Sequence, residues 1–171
     1  MDVANRNWKC NEKVEAIFDS SSELDCKYRY LLKCDWDISL PKVTFVMLNP
    51  SVADTDICDP TLSRCINYAK KWGYGGINAV NLFAYISTDP KQLKKKTDPV
   101  GKLNDKYIIE AVEDSKLVVF AWGTEYGKLN NRNRKVVALL KTYKPHCLKK
   151  TKDGDPSHPL YLSKDLTPIS Y

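Results

Sequence analysis

The chain of 171 residues lacks long apolar runs and the short signatures of several enzyme classes. No segment approaches the roughly 18 apolar residues that span a membrane, and the first residues lack a signal-peptide core, so we expect a cytoplasmic protein. The six cysteines show neither a CxxC pair nor zinc-site spacing, which favours reduced thiols, no metal and no cofactor. P-loop, GxGxxG, GxSxG and HExxH motifs are also missing, and a cysteine nucleophile is disfavoured because no histidine is near Cys58 or Cys65 in sequence.

The composition, 43% hydrophobic and 28% charged, is typical of a globular protein. The length predicts one domain over residues 1–171, with an N-terminal lead-in at 1–40 and a core at 41–165. A net charge of +6 permits a polyanionic partner without requiring one. Lysines cluster in two places, where they either contact phosphates or form solvated faces: Lys91, Lys94, Lys95 and Lys96, and then Lys141, Lys144, Lys149, Lys150 and Lys152.

Strand and helix patterns alternate from residue 42 onwards, after a short strand or hairpin in the lead-in. This order predicts an α/β fold in which helices cover both faces of a mainly parallel sheet, a three-layer α/β/α sandwich. Strands are predicted at 42–48, 77–83 and 117–122, and helices at 60–72, just after 89–90, at 104–114 and at 134–144. Asp59 and Pro60 suit the first two positions of the first helix.

Two short motifs stand near opposite ends of the predicted core. Asn49-Pro50 ends an apolar strand, and His158-Pro159 ends a polar loop. Open α/β sheets bind ligands at the carboxyl ends of their strands, where this amide and imidazole would face each other across a crevice. Asn81, near the end of the next strand, would join them. We therefore expect one site built from Asn49, Asn81 and His158.

Six motifs occur in the order found in the family catalogued as domain of unknown function 1643, which the chain resembles over roughly residues 28–165. They are Met47 to Asp54, Asp59-Pro60-Thr61, Arg64-Cys65, Trp72-Gly73-Tyr74, Asn81 to Tyr85 and His158 to Leu162. More distantly, the Asn-Pro after the first core strand and the late His-Pro resemble the uracil-DNA glycosylase superfamily. That resemblance implies a glycosylase-like fold and hydrolysis of a base–sugar bond in DNA or a nucleotide, including a modified base. The alternative is a non-catalytic module that recognises a nucleotide or modified base.

The resemblance also implies roles for the site residues. Asn49, fixed by Pro50, would orient the attacking water, although it could simply form a turn; Asp54 is an alternative base. His158 would donate to a carbonyl oxygen of the departing base as a neutral imidazole, with Lys152 keeping it unprotonated, unless it is only a capping residue.

Further contacts with substrate are expected around these residues. Asn81 offers a donor and an acceptor to the edge of a base, and Phe83 and Tyr85 would stack on it unless they belong to the core. Other residues have open assignments: Ser51 follows Asn49-Pro50, Arg64 could reach a phosphate or pair with Asp54 or Asp59, and Leu160 and Tyr161 stand where a glycosylase inserts a wedge into a duplex. Leu160 replaces the usual small serine there, which leaves single strands or free nucleotides as substrates.

Overall fold

The computed structural model describes residues 4–19, 27–51 and 55–171. Over these ranges the chain forms nine strands and three α-helices. The strands are β1 (Arg6–Asn7), β2 (Lys13–Phe18), β3 (Arg29–Asp35), β4 (Lys42–Met47), β5 (Ile57–Cys58), β6 (Gly76–Asn81), β7 (Leu117–Phe120), β8 (His146–Cys147) and β9 (Ile169–Ser170). The α-helices are α1 (Pro60–Lys71), α2 (Asn104–Glu113) and α3 (Arg132–Leu140), and short 3-10 helices cover Pro90–Lys95, Tyr126–Asn131, Lys141–Tyr143 and Pro159–Tyr161.

The larger of the two sheets is mixed. Within the described ranges its seven strands follow the order β2-β3-β6-β4-β7-β8-β9. The four central strands, β6, β4, β7 and β8, run parallel to one another, and the flanking strands join through antiparallel pairings. The α/β class predicted from the sequence is confirmed, but the sheet is mixed where a mainly parallel one was expected.

Helices pack against both faces of this sheet. On one face, Ile66 of α1 belongs to the same apolar cluster as Phe45 of β4. On the other face, Ile108 of α2 and Val136 of α3 share a cluster with Val46 of β4. Burial of each such side chain contributes about 1.5–3 kcal/mol relative to exposure. Consecutive residues of β4 therefore point to opposite faces of the sheet, and each packs against helices on its own face.

Helix α1 begins and ends as its sequence predicts. Oδ1 of Asp59 accepts a hydrogen bond from the backbone N–H of Leu62 at 2.7 Å, and Pro60 occupies the first turn. Lys70 and Lys71 suit the negative end of the helix dipole. Gly73, with φ of 83°, then takes the left-handed conformation that lets the chain leave the helix. The first turn of α1 is thus fixed directly after the loop that follows β4.

The path of the chain reverses at β4. From β4 the chain passes through α1 to β6 on one side, and from β6 through α2 to β7 on the other side of β4. Right-handed crossovers in opposite directions put α1 and α2 on opposite faces, so the loops after β4 and its neighbours diverge. A crevice at the carboxyl end of β4, next to Asn49, is the consequence.

The structure differs from the sequence prediction at the margins of the sheet. The lead-in was expected to form a short strand or hairpin apart from the core. Its strands β2 and β3 do pair with each other, and they also extend the main sheet, because β3 pairs with the buried β6. Strands β8 and β9 were not predicted, because two residues are too short to show an alternating pattern. No helix in the described ranges is long and apolar enough to cross a membrane.

Candidate functional site

A cavity of about 280 Å³ lies at the carboxyl edge of the sheet, beside the end of β4. It is lined by Asn49, Asn81 and His158, so the structure brings these three residues together. Other predicted site residues in its wall are Pro50, Ser51 and Tyr161. The polar or charged wall residues that sequence reasoning did not assign to substrate are Arg29, Asp59, Thr61, Ser87 and Thr88. The cavity is at the lower end of the size range for small-molecule sites.

Asn49 ties two loops together. Its Nδ2 donates to the backbone oxygens of Ser87 at 2.9 Å and of Pro50 at 3.1 Å. All hydrogen bonds of this side chain to the described residues are made through Nδ2. The orientation of the amide is therefore fixed, and Oδ1 is left as an acceptor for a molecule in the cavity.

Asn81 is buried without satisfying its amide. The residue is 1% exposed, yet neither Nδ2 nor Oδ1 has a hydrogen-bond partner in the described part of the chain. It is the one residue in that part with two such atoms. Each unsatisfied buried group costs about 1–3 kcal/mol, and native proteins contain few of them. An unpaired donor and acceptor in a residue that borders the cavity make Asn81 a candidate for pairing with a ligand.

The backbone around Asn81 is held firmly from the side of α2 and α3. Nδ2 of Asn104 donates to the carbonyl oxygens of Asn81 at 2.9 Å and Leu82 at 3.1 Å. Nε of Arg132 also donates to the Leu82 oxygen, at 2.6 Å. Asn81 is in register with Met47, the last residue of β4, so its side chain belongs to the sheet edge where the Asn49 loop begins. The unpaired amide is therefore placed by rigid structure.

His158 is arranged as a neutral donor. Its Nδ1 accepts a hydrogen bond from the backbone N–H of Leu160 at 3.3 Å, which leaves the ring proton on Nε2. Burial lowers the pKa of His158 below its ordinary value of 6.5, and the negative charge of Asp59 opposes this shift. Burial is thus the cause of the lowered pKa, and Lys152, which was expected to help keep the imidazole neutral, is exposed in the turn before Asp155 and is not among the causes of the shift.

Ser51 and Asp59 form a short polar link in the cavity wall. Oγ of Ser51 donates to Oδ2 of Asp59 at 2.5 Å, while Oδ1 of Asp59 caps α1. Asp59 therefore does more than cap the helix, because its second oxygen fixes the residue after Asn49-Pro50. Among the described residues it is the carboxylate of the cavity wall.

Arg29 contributes a permanent positive charge to the wall. It begins β3 and is 2% exposed. Sequence reasoning missed it, because its place in the wall depends on the pairing of β3 with β6, which the sequence did not show. The available signal was a charged residue leading directly into the apolar Tyr30-Leu31-Leu32.

The two aromatic residues predicted to stack on a base lie elsewhere. Phe83 is completely buried in the core cluster of α2 and α3, so the core alternative holds for it. Tyr85 packs edge-on against Tyr28, and Nζ of Lys96 lies 4.7 Å from the centre of its ring. Neither residue lines the cavity.

Three more predicted residues stay outside the cavity wall, and one cannot be placed. Nη2 of Arg64 donates to the backbone oxygen of Leu160 at 3.4 Å, so Arg64 supports the His158 turn and does not face the cavity. The side chains of Leu160 and Lys152 are likewise absent from the wall. Asp54 lies outside the described residues.

Thiol and metal chemistry find no support in the described residues. Cys58 and Cys65 are fully buried, and burial raises the pKa of Cys58 to about 12 and that of Cys65 well above its ordinary value. Both are therefore protonated thiols and poor nucleophiles. No group of three or more His, Cys, Asp or Glu side chains in the described ranges could hold a metal ion.

Comparison with known families identifies the chain. The model of one family, described as protein of unknown function (DUF1643), matches residues 29–160. The chain belongs to this family. The DUF1643 match runs from Arg29 in the cavity wall to just beyond His158, so it contains Asn49, Asn81 and Asp59 as well. No curated protein and no solved structure matches the chain.

Proposed function

We propose that the cavity binds a nucleobase and that the protein hydrolyses the bond between that base and its sugar, in DNA or a nucleotide. The observation that carries the proposal is the buried amide of Asn81, whose two polar atoms have no partner among the described residues. Nucleobase edges present donors and acceptors side by side, which is the pattern that one amide complements. A cavity of about 280 Å³ suits a single base better than a larger cofactor.

His158 is suited to stabilise the departing base. When the bond between C1′ and the base nitrogen breaks, its electron pair goes to the base, and negative charge develops on the carbonyl oxygens of the base. Nε2–H of a neutral imidazole can donate to such an oxygen, and the lowered pKa keeps the imidazole neutral. Loss of one comparable donor costs other enzymes about 2.7–4 kcal/mol of transition-state stabilisation.

The attacking water would be held by Asn49. Its Oδ1 accepts a hydrogen bond from the water, while Nδ2 keeps its hydrogen bond to the backbone oxygen of Ser87. The water oxygen can then be directed at C1′. The water adds its oxygen to C1′ and passes a proton to a carboxylate. Asp59 is the described candidate for that carboxylate, and Asp54, which lies outside the described residues, is the second.

A fold like that of the uracil-DNA glycosylases belongs to the same proposal. Its support is the four-stranded parallel centre of the sheet, α1 on one face and α2 with α3 on the other, and the Asn-Pro and His-Pro segments in one cavity wall. We also propose a cytoplasmic location, supported by five free cysteines in the described ranges.

Base release is the test of this proposal. Purified protein is incubated with nucleosides, nucleotides and DNA that carry normal and modified bases, and free base is measured by mass spectrometry. On a substrate that is cleaved, His158→Ala should lower kcat about 100- to 1,000-fold, and Asn49→Ala should lower kcat with little change in KM. Asn81→Leu should raise KM, because it removes the proposed donor and acceptor for the base. Asn67 is an exposed asparagine of α1, and the control variant Asn67→Leu should leave both constants unchanged.

The carboxylate is assigned by two further variants. Severe loss in Asp54→Asn with a mild effect of Asp59→Asn makes Asp54 the base, and the reverse result selects Asp59. Wild-type rates in the variants of Asn49, His158, Asp54 and Asp59 would refute the mechanism.

A non-catalytic module that recognises a base or nucleotide is the second candidate. The observation in its favour is that Nδ2 of Asn49 donates to the backbone oxygens of Pro50 and Ser87, which is what a residue with a purely structural role would do. Binding that depends on Asn81, without release of any base from the whole panel, would select this reading.

A further inference from the structure

A second cavity, of about 460 Å³, adjoins the first. The two cavities share Leu48, His158 and Tyr161 in their walls. These three residues therefore form part of the boundary between the two cavities. A ligand of two linked units could fill both cavities at once.

Tyr161 stands between the cavities as an exposed aromatic ring on a fixed turn. Its residue is 84% exposed, and its ring centre is 5.8 Å from that of His158. The turn is fixed by the bond from Leu160 N–H to His158, by Arg64 on the Leu160 oxygen and by Leu162 N–H on the Pro159 oxygen at 3.2 Å. The backbone that carries the ring is therefore fixed, and the exposed ring offers a stacking surface for a base.

A lysine-bearing helix lies near both cavities. Pro90, the first residue of the 3-10 helix Pro90–Lys95, lines the first cavity. Near the other end of that helix, Nζ of Lys94 lies 5.2 Å from the ring centre of Tyr126, which lines the second cavity. The lysines of this helix are exposed. They can meet phosphates that link a unit in the first cavity to a unit in the second.

We propose that the second cavity binds the neighbouring nucleotide of a single nucleic-acid strand, with Tyr161 stacking on its base and the Pro90–Lys95 helix meeting the connecting phosphates. This inference rests on the proposed function of the first cavity and names its substrate class as a single strand. The second cavity offers aromatic and hydroxyl groups for the second unit, namely Trp122, Tyr126, Thr124, Thr151 and Ser157.

The test compares strands with mononucleotides. Labelled single-stranded octanucleotides of A, C or T are titrated with the protein by fluorescence anisotropy, and the matching nucleoside monophosphates are added as unlabelled competitors. The strand should bind more tightly than the mononucleotide and than its own duplex. Tyr161→Ala should weaken strand binding roughly 5- to 150-fold, the effect of losing one stacked base, and should weaken competition by the mononucleotide much less, although Tyr161 also borders the first cavity. Tyr143→Ala, an exposed tyrosine outside both cavity walls, is the control and should have no effect.

The outcomes separate this inference from the proposed function. Mononucleotide binding that requires Asn81, with strands no tighter and no effect of Tyr161→Ala, overturns the inference and keeps the proposed function. Strand binding that needs Tyr161 but tolerates Asn81→Leu removes base recognition by the first cavity, on which the inference rests. Equal weakening of strand and mononucleotide by Tyr161→Ala also contradicts it, because Tyr161 would then belong to the first cavity alone.

Discussion

Replacing Asn81 with leucine should make the unliganded protein more stable. Leucine has the same number and branching of side-chain heavy atoms as asparagine, although its two methyl groups are bulkier, and it removes two buried polar atoms that have no partner in the described part of the chain. At about 1–3 kcal/mol for each unsatisfied group, the gross gain is about 2–6 kcal/mol. Some of this is lost to imperfect packing, so we expect a net gain of at least about 1 kcal/mol, or roughly 2–4 °C in Tm.

Asn78 supplies the matched control for this prediction. It lies in the same strand and is equally buried, but its Nδ2 donates to the Ala111 oxygen at 3.1 Å and to Oδ2 of Asp114 at 3.2 Å. Asn78→Leu breaks both of these bonds and removes only one unpaired atom, Oδ1, so it should destabilise the protein by about 1–3 kcal/mol relative to Asn81→Leu. Urea unfolding of both variants without ligand measures the difference. If Asn81→Leu were as destabilising as Asn78→Leu, the Asn81 amide would be a satisfied structural group and the inference of a ligand would fall.

Three other predictions concern charge. Glu12 is buried with Arg6 at 2.8 Å and Lys70 at 3.0 Å, which hold its pKa at about 2 instead of 4.5. Glu12→Gln should therefore cost about 3 kcal/mol of unfolding free energy at neutral pH and less as the pH falls from 4.5 towards 2; a constant loss would contradict this. The lowered pKa of His158 means that the unfolded chain binds its proton more readily, so stability should fall as the pH drops below 6.5. His158→Gln should lack that component of the urea-unfolding profile, and an unchanged profile would refute it. Octanucleotide binding should weaken steeply with salt because of Lys94 and its neighbours; a flat anisotropy titration would exclude phosphate contacts.

The meeting of Asn49 and Asn81 was predictable because it depends on few physical rules, whereas His158 lies in the loop after β8 and its place in the same wall was expected from the order of the motifs. Parallel strands joined by right-handed crossovers deliver their carboxyl ends to one edge, so residues that end such strands must meet there. The capping of α1 by Asp59 also followed from local chemistry, since an aspartate before a proline is a strong helix start.

The aromatic residues near Asn81 show why other parts were not predictable. Alternation of sides was assumed through Phe83, but β6 ends at Asn81, and both Leu82 and Phe83 then enter the same core cluster. The pattern of a strand holds only while the strand continues, and the sequence does not show where pairing stops. The place of Arg29 likewise depends on the partner strand of β3, which is a tertiary fact.

The central claim, that the Asn81 amide pairs with a nucleobase, is tested most directly by NMR. The side-chain amide protons of Asn81 can be identified in a proton–nitrogen spectrum as the pair missing in Asn81→Leu. Titration with free bases should move at least one of these protons downfield as it gains an acceptor, and the shift should saturate with the binding curve. If the Asn81 amide signals kept their unliganded chemical shifts at saturation while signals of other cavity residues shifted, the claim would be contradicted.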